Sequence, residues 1–420
     1  MSDCCAGDRL LTLADALTAA LGTIRPICDT ETVPLLQAYG RVLAADVSAQ
    51  RDVPPHDNSA MDGFALYRAD LKSEEPTRLP VIGQSLAGHP YAQPVPPGVA
   101  VRITTGAVIP AGPDTVIMQE DCQIGPEERW IEIEPKRAAR LQVGENIRRR
   151  AEDIQVGTTL LSCGSRLRPQ DVALAAGQGI AALQVVRTLR VAVASTGDEL
   201  YEPGQPLAAV GGIYETNRYA LIGFLQRLGC IVTDLGILQD QHDMVLSVLQ
   251  DAAATHDVLL TSGGVSVGTA DVVKDVIAAL GKIEFWRLAI KPGKPVTFGW
   301  IENCLVVGLP GNPVSVAVAF LMFARPLLLK LMGTEPTDPV RLHAVADFEF
   351  RRKPGRREWL RARVRFGTDS KPMVSMYPTN SSGALSSLSW ATGLIELPEA
   401  CVGIKPGDEV AYLPFEALGA

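Results

Sequence analysis

The sequence predicts an α/β multidomain protein in which a central doubly wound parallel sheet is flanked by small β-rich domains and preceded by a helical segment. The chain has 420 residues, more than the ~100–200 residues of a typical single domain. Apolar strands alternate with helical patterns between about Arg190 and Leu331, as in a parallel α/β sheet. Short runs punctuated by Pro and Gly on both sides favour β structure. We expect domains at 8–176, with two subdomains, at 177–332 and at 338–416.

Composition and charge exclude several classes of protein. With 47% hydrophobic and 20% charged residues, the chain is typical of soluble globular proteins. Its longest apolar run, Val314 to Met332, contains Arg325 and Pro326, which predicts a buried helix and no membrane span. A net charge of −8 argues against a general nucleic-acid binder. The amino terminus has no signal-peptide pattern and the eight cysteines form no CxxC, so we expect a cytoplasmic protein with reduced thiols.

The amino-terminal third begins with helical patterns and continues with β structure. Apolar positions recur at helical spacing from Arg9 to Leu21, and a second such pattern runs from Glu31 to Leu43. From about Ala49 to Cys163, short alternating runs predict a small β-rich domain. Leu167 to Ile180 again has the pattern of a helix.

In the central region, predicted strands alternate with predicted helices. The predicted strands are LRVAVAST, CIVTDLGI, DVLLTS and CLVVG. The predicted helices between them are Arg218–Leu228, His242–Ala254 and Asp271–Leu280, and a further helix follows CLVVG. After Gly333, the runs VRLHAVADFEF, EWLRARVRFG and MVSMYPT predict a second small β domain.

Three glycine-rich turns lie close together in this region: TSGGVSVG (Thr261–Gly268), KPGKP (Lys291–Pro295) and GLPGNPVS (Gly308–Ser315). The first and third follow apolar runs, so they should lie at the carboxyl edge of the sheet, where open α/β sheets bind ligands. Glycines such as Gly263 and Gly264 allow close backbone approach, and Lys291 and Lys294 add positive charge, which favours a phosphate-bearing ligand. No GxxxxGK[ST] or GxGxxG occurs, so neither ATP nor dinucleotide binding is indicated. The alternative is that these are ordinary strand-to-helix turns.

The same edge collects oxygen-bearing side chains. Asp198 and Glu199 follow the first predicted strand, and Asp240 follows the second. Ser266 and Asp271 follow the third strand, and Ser315 follows the fourth. Carboxylates beside a phosphate site suit Mg²⁺, which prefers oxygen ligands. For each Asp taken alone, a helix cap or a solvated loop residue is the favoured interpretation.

Loops outside the central region carry further polar groups. PGRREW (Pro354–Trp359) and TNSSGALSS (Thr379–Ser387) supply a guanidinium and hydroxyl groups suited to an oxyanion. HDNSAMDGFA (His56–Ala65) and RITTGAVIP (Arg102–Pro110) are unusual polar turns in the first β domain. NIRRRAED (Asn146–Asp153) could be an anion patch, although a solvated or interface surface with internal ion pairs is the alternative.

Seven motifs in order, PPHDNSAMDGFA, RITTGAVIP, ENIRRRAEDI, STGDEL, TSGGVSVGTAD, LAIKPGKP and GLPGNPVS, closely resemble the MoeA family, the molybdopterin molybdenumtransferases, which includes the carboxyl-terminal region of gephyrin. The resemblance covers almost the whole chain. It implies a central molybdopterin-binding domain like that of the MogA adenylyltransferases. It also implies an elongated homodimer that takes adenylylated molybdopterin and molybdate, inserts the metal with Mg²⁺ and releases AMP.

The resemblance also implies residue roles. Ser266 and Asp271 would position hydrolysis of the adenylate, and Glu199, Asp240 and Asp271 would hold the metal. Asp62, together with Thr105, would approach the site from the other subunit, and Asp62 and Lys291 are expected among the catalytic residues. The remaining substrate-binding residues implied by the family are Gly263, Gly264, Lys294, Ser315, Arg356, Ser382, Arg287 and Asp153. Transient contacts with the upstream adenylyltransferase and with downstream molybdoenzyme chaperones are expected, and no nucleic acid.

Three positions depart from the family pattern. Arg287 stands where lysine is frequent, Ala151 where glycine is usual, and Glu215 where aspartate is common. Two other functions remain open from the sequence. A CinA-like nucleotide hydrolase would not need the DNSAMDGFA domain, and a gephyrin-like scaffold would not need Ser266, Asp271 and Lys294 together.

Overall fold

The protein is described here by a computed structural model that covers residues 10–239, 241–263, 272–366 and 371–420. The chain forms two compact units. The large unit contains Met1–Ala44, Gly164–Arg168 and Ala182–Ala420, and the small unit contains Ala45–Cys163 and Pro169–Ala181. The chain therefore leaves the large unit twice, after Ala44 and after Arg168, and returns to it each time before the central sheet begins.

The helices are α1 Leu13–Thr23, α2 Pro135–Ala138, α3 Pro169–Gly177, α4 Asn217–Leu228, α5 His242–Thr255, α6 Val272–Leu280, α7 Pro313–Ala319, α8 Arg325–Leu331, α9 Ser386–Trp390 and α10 Phe415–Leu418. The strands of the small unit are β2 Val47–Ser48, β3 Asn58–Ser59, β4 Gly63–Leu66, β5 Thr77–Ser85, β6 Ala100–Ile103, β7 Thr115–Met118, β8 Gln123–Ile124, β9 Trp130–Ile133, β10 Ile147–Arg148 and β11 Thr159–Leu161. Those of the large unit, up to the end of its central sheet, are β1 Thr30–Pro34, β12 Ala182–Val186, β13 Arg190–Thr196, β14 Leu200–Tyr201, β15 Ile213–Tyr214, β16 Ile231–Leu238, β17 Val258–Ser262, β18 Lys282–Arg287, β19 Ile290–Lys291, β20 Pro295–Ile301 and β21 Cys304–Leu309. The carboxyl-terminal strands are β22 Leu342–Ala346, β23 Phe350–Arg351, β24 Arg357–Phe366, β25 Pro372–Met376, β26 Gly393–Leu397, β27 Gly403–Ile404 and β28 Glu409–Pro414.

The central sheet has the strand order β16-β13-β17-β21-β20-β18. Strands β16, β13, β17 and β21 are parallel to one another, which confirms the predicted doubly wound sheet. Strands β20 and β18 extend it in antiparallel pairing. These two strands were not predicted from the sequence. A two-residue turn joins Ile301 to Cys304, and Glu302 takes a φ of 51° in this turn. Strands β20 and β21 therefore form a tight hairpin.

Buried branched side chains hold this sheet between two helical layers. On one face, Val191, Val193, Val258 and Leu260 share a core with α1, α4, α7 and α8. On the other, Ala192 and Leu259 pack with apolar residues of α5 and α6. Strands buried on both faces explain the nearly continuous apolar runs in the sequence.

The helical stretch from Pro313 to Leu331 runs through α7, a π-helical segment at Phe320–Ala324, and α8. By length and composition it could cross a membrane, yet 78% of its apolar window is buried inside the protein. The predicted buried helix is confirmed.

The first helix is confirmed as α1, although its bounds are shifted relative to Arg9–Leu21. The second helical prediction, Glu31–Leu43, is wrong: Thr30–Pro34 is a strand paired antiparallel with β12, followed by a single 3₁₀ turn at Leu35–Gln37. Pro34 has no N–H for a helix interior, and the β-branched Thr30, Thr32 and Val33 suit an extended chain.

The carboxyl-terminal part of the large unit contains a mixed sheet of order β19-β24-β25-β22-β28-β26, with an additional β24–β26 pairing. The β structure predicted for this part of the chain is therefore present. Strand β19, which contains Lys291, pairs in parallel with β24 through Ile290↔Arg357 and Lys291↔Glu358. This pairing attaches the KPGKP turn to the carboxyl-terminal sheet.

The small unit contains a sheet of order β7-β4-β6-β5-β9-β8, as expected for residues 49–163. Phe64, Leu66, Ile117 and Ile131 are fully buried in its core. The segment predicted as a helix at Leu167–Ile180 is α3.

Candidate active site

A cavity of about 840 Å³ lies at the carboxyl edge of the central sheet. It is lined by residues that directly follow three parallel strands, among them Gly197 after β13, Gly263 after β17 and Pro310 after β21. The first and third glycine-rich turns therefore begin at one sheet edge, as predicted; residues 264–268 of the first lie outside the described part of the chain.

Gly263 shows why the first turn needs glycine. Its φ is +87°, and a β-carbon there would lie 2.5 Å from the carbonyl oxygen of Thr196. Its N–H donates to the carbonyl oxygen of Leu309 at 3.1 Å. Any side chain at this position would separate the ends of β13, β17 and β21 and so distort the cavity wall.

Asn217, at the start of α4, ties two of these turns together and was not singled out from the sequence. Its Nδ2 donates to Oγ of Ser262 at 2.9 Å and to the carbonyl oxygen of Gly311 at 2.6 Å. It ends the segment IYETN, residues 213–217, which also contains Glu215. An asparagine that opens a helix is ordinarily taken as a cap, so local sequence did not reveal this role.

The KPGKP turn and a carboxyl-terminal loop close the cavity from the side of the second sheet. Gly293 takes a φ of +101°, and a β-carbon there would lie 3.2 Å from the carbonyl oxygen of Ser315. The N–H of Val314 donates to the carbonyl oxygen of Ser382 at 3.0 Å. The first turn of α7 therefore contacts both segments.

Seven of the predicted residues line this cavity: Glu199, Gly263, Lys291, Lys294, Ser315, Arg356 and Ser382. Arg287 ends β18 and is not among the residues that line it. Asp240, Gly264, Ser266 and Asp271 lie outside the described residues, so their predicted roles remain predictions.

Lys291 is held by a buried carboxylate. Its Nζ lies 2.8 Å from Oε1 of Glu358, which is 2% exposed, whereas the Lys291 side chain is 36% exposed. The other oxygen of Glu358 lies 3.3 Å from Nε of Arg352, itself 3% exposed. One carboxylate thus faces two cations, and Lys291 is fixed at the rim of the cavity. The sequence did not single out Glu358 or Arg352.

Arg361 holds the loop that carries Ser382. The guanidinium is buried and donates to the carbonyl oxygens of Thr379 at 2.9 Å and Ser381 at 3.0 Å, and to Oγ of Ser387 at 3.0 Å. Burial lowers the pKa of Arg361, and the nearby Glu358 carboxylate partly opposes this shift. Arg361 determines the loop conformation from beneath and does not itself line the cavity.

The cavity also contains oxygen acceptors. Glu215 is 2% exposed; its Oε1 accepts from the N–H of Arg218 at 2.7 Å, while its Oε2 has no hydrogen-bond partner among the described residues. Oδ1 of Asn217 is likewise buried and has no hydrogen-bond partner among the described residues. The described residues include no group of three His, Cys, Asp or Glu side chains that could hold a metal ion by themselves. Glu199 and Glu215, which line the cavity, have the hard oxygen donors that Mg²⁺ takes.

In the small unit, Asp62 and Thr105 are in direct contact. Oδ1 of Asp62 accepts from the N–H of Thr105 at 2.7 Å and from its hydroxyl at 3.0 Å. These two hydrogen bonds hold the pKa of the Asp62 carboxyl below its usual value, and the bond from the backbone N–H makes the larger contribution. The two loops that contain these residues therefore meet at the Asp62 carboxylate. Asp153, the third predicted residue of this unit, is exposed, and its N–H donates to the carbonyl oxygen of Val53.

Comparison with known proteins places this geometry in a family. The chain is 38% identical over 411 residues to a protein of Haemophilus influenzae named molybdopterin molybdenumtransferase, which covers 97% of this chain and 100% of that protein. The chain belongs to the MoeA family. A Nostoc protein of the same name is 35% identical, with 92% of this chain and 88% of that protein covered.

Domain models and a solved structure agree with the MoeA assignment. Residues 11–179 match the MoeA N-terminal region (domain I and II), residues 192–330 match a model described as "Probable molybdopterin binding domain", and residues 343–415 match the MoeA C-terminal region (domain IV). The crystal structure of the molybdopterin biosynthesis MoeA protein from Pyrococcus horikoshii is 31% identical. It superposes with a TM-score of 0.81 over 97% of this chain and 100% of that one.

Proposed function

We propose that this protein is a molybdopterin molybdenumtransferase, which inserts molybdate into adenylylated molybdopterin with release of AMP. The observation that carries the proposal is the convergence of Lys291, Lys294 and Arg356 with two hydroxyl side chains, Ser315 and Ser382, in one cavity. A dianionic oxyanion needs just such cationic and hydroxyl donors. The curated relatives with this name support the proposal across nearly the whole chain.

The proposal assigns a role to each of the predicted site residues. Lys291, Lys294 and Arg356 balance the charge of molybdate and of the substrate phosphate, and Ser315 and Ser382 donate hydrogen bonds to the oxyanion. Ser266 and Asp271 position the water that cleaves the adenylate. Glu199, Asp240 and Asp271 would hold Mg²⁺, which supplies charge neutralisation at phosphate oxygens.

The acceptors at the back of the cavity fit the heterocyclic and ribose parts of such a substrate. Glu215 Oε2 and Asn217 Oδ1 are buried without a described partner, a costly arrangement unless a ligand donates to them. Both pterin and nucleotide groups carry N–H or O–H donors. No cysteine is required for this chemistry, because the dithiolene sulfurs belong to the pterin.

A homodimer in the cytoplasm is part of the proposal, with Asp62 and Thr105 of each subunit acting in the site of the other. Mixed dimers test it. A chain carrying Asp62→Asn and a chain carrying Lys294→Ala, each with little activity alone, should regain activity when they are unfolded and refolded together, because one site per mixed dimer is intact. Absence of any regain in verified mixed dimers would contradict shared sites.

The reaction itself is tested by measuring AMP release from adenylylated molybdopterin and Mg²⁺ with and without molybdate, alongside activation of a cofactor-free molybdoenzyme. We expect release that depends on molybdate, together with activation. Release indifferent to molybdate and without activation would favour a CinA-like hydrolase, and tight binding without turnover would favour a scaffold. Asp271→Asn should bind the substrate yet release AMP slowly; full release would remove Asp271 from the catalytic residues.

A further inference from the structure

A second, smaller cavity opens beside the candidate active site, in the carboxyl-terminal part of the large unit. Its volume is about 450 Å³, and its lining residues are Lys291, Arg351, Arg352, Lys353, Arg356 and Glu358. Lys291 and Arg356 also line the larger cavity. The two cavities therefore have cationic side chains in common.

The charges around this cavity do not balance. Its lining contains five cations and a single carboxylate, Glu358, which is already shared between Lys291 and Arg352. Arg351 is paired at 2.9 Å with Glu349, but both side chains are more than half exposed, so solvent screens that pair strongly. Within the described chain, no hydrogen bond or ion pair involves the side chain of Lys353 or Arg356. An excess of positive charge remains to be neutralised from outside the protein.

The turn that carries these cations is held in place. The buried guanidinium of Arg352 donates to the carbonyl oxygens of Leu397 and Pro398, both at 3.3 Å, and to that of Arg356. The N–H of Gly355 donates to the carbonyl oxygen of Glu399 at 2.8 Å, and Gly355 takes a φ of +108°. Arg352 thus uses its donors to fix the turn, while Arg351, Lys353 and Arg356 remain as ligand donors. A fixed turn lowers the entropy cost of binding.

We propose that this basic cavity is a second oxyanion site, which takes a doubly charged tetrahedral anion next to the candidate active site. Guanidinium groups pair with tetrahedral oxyanions through two parallel hydrogen bonds, and a lysine adds a movable point charge. At about 30 Å³ of liquid volume per water, the cavity has room for an oxyanion that keeps part of its hydration. The occupant is either a free inorganic oxyanion or the phosphate group of an ester.

Occupancy of the two cavities should be coupled, because they share Lys291 and Arg356. Two dianions placed on either side of the same cations repel each other and compete for the same hydrogen-bond donors. Binding in one cavity therefore weakens binding in the other. An inorganic oxyanion at high concentration should raise the amount of molybdate needed for half-maximal AMP release.

The test measures binding of inorganic phosphate to the full-length protein by equilibrium dialysis, without turnover. We expect wild-type protein to bind a second phosphate per chain in addition to the one in the active-site cavity. The double variant Arg351→Ala, Lys353→Ala should weaken that second phosphate about tenfold or more, the equivalent of one charge-assisted hydrogen bond. The matched control Lys371→Ala, Lys405→Ala removes two exposed cations of the same region and should bind as wild type does. A single phosphate in the wild type, or equal binding by the double variant, would overturn the proposal.

Two further arms make the result specific. Lys294→Ala should weaken the first phosphate and keep the second, so a failure of the active-site assignment is distinguishable from a failure of this one. Glycerol phosphate distinguishes the sources: if it displaces the second phosphate, the site takes an ester phosphate, and if it does not, the site takes a free oxyanion. The double variant should unfold at the same temperature as the wild type, which would verify that its loss of phosphate binding is not caused by a loss of folded protein.

Discussion

The side-chain nitrogen of Lys291 lies 2.8 Å from a carboxylate oxygen of Glu358, and only 2% of Glu358 is exposed. Lys291 is the residue of the KPGKP turn that faces both cavities. The pair reinforces the β19–β24 pairing, which attaches the KPGKP turn to the carboxyl-terminal sheet. A cation of the candidate active site is thus fixed by a residue outside the three turns that the sequence highlights.

Glu358→Gln removes this charge with little change in shape. It leaves Lys291 and the buried Arg352 beside a neutral amide, and we expect the free energy of unfolding to fall by roughly 2–4 kcal/mol. Urea denaturation measures the loss. Glu349→Gln, which removes the exposed ion pair with Arg351, should cost less than about 1 kcal/mol; equal losses would show that burial of Glu358 does not matter.

Lys294→Ala should raise the molybdate concentration for half-maximal AMP release by about tenfold, because a cavity-lining cation without a described partner is lost. Turnover at saturating molybdate should change less. Steady-state kinetics over a molybdate series measure both effects. Lys282→Ala, an exposed lysine of β18, is the control, and molybdate dependence unchanged in Lys294→Ala would remove this residue from the oxyanion site.

Arg361→Lys tests the support of the Ser382 loop. A lysine cannot reach the carbonyls of Thr379 and Ser381 and the Ser387 hydroxyl together, so we expect a loss of about 1–3 kcal/mol of stability and weaker molybdate binding. The same change at Arg363, an exposed residue of β24 whose guanidinium donates to the carbonyl oxygen of Trp390 and lies over the Trp390 ring, should have little effect on molybdate binding. If Arg361→Lys left molybdate binding intact, the loop would not depend on this guanidinium.

Thr105→Val should raise the pKa of Asp62 toward its ordinary value, because one of two hydrogen bonds to the carboxylate is lost. The pKa of Asp62 is lower in the folded protein than in the unfolded chain. Its contribution to stability is therefore complete above the unfolded pKa of about 3.9 and is lost as pH falls through the lower folded value. A carbon-13 NMR titration of the Asp62 carboxyl provides the measurement. Thr104→Val, which removes no bond to Asp62, should leave the titration unchanged.

Ala151→Gly should stabilise the small unit by about 1 kcal/mol, against the usual direction of such changes. Ala151 takes a φ of +61°, which an L side chain resists and glycine adopts readily. The departure from the family pattern at this position thus has a physical cost. Thermal unfolding measures the gain, and Ala139→Gly at a φ of −64° should lower stability instead. A loss of stability in both variants would contradict the conclusion that the positive φ of Ala151 is strained.

Local sequence predicted most of the fold, and its errors have identifiable causes. Alternating apolar runs and glycine turns placed the parallel strands and the cavity edge correctly, since buried strands and turns have strong short-range patterns. The Glu31–Leu43 helix failed because pairing with β12 determines that segment. Strands β18 and β20 were not predicted, because their pairing depends on a tight turn before β21.

By itself the sequence determined the fold class, the order of the glycine turns and most of the cavity's charged residues, because these follow from periodicity and from residue types in short motifs. Only the tertiary structure decided which groups support them. Glu358, Arg361 and Asn217 act through contacts with residues distant in the chain, and each resembles an ordinary strand or helix residue in its own segment. The physical reason is burial: a charged or amide side chain becomes a positioning group only when folding removes it from water and leaves it specific partners.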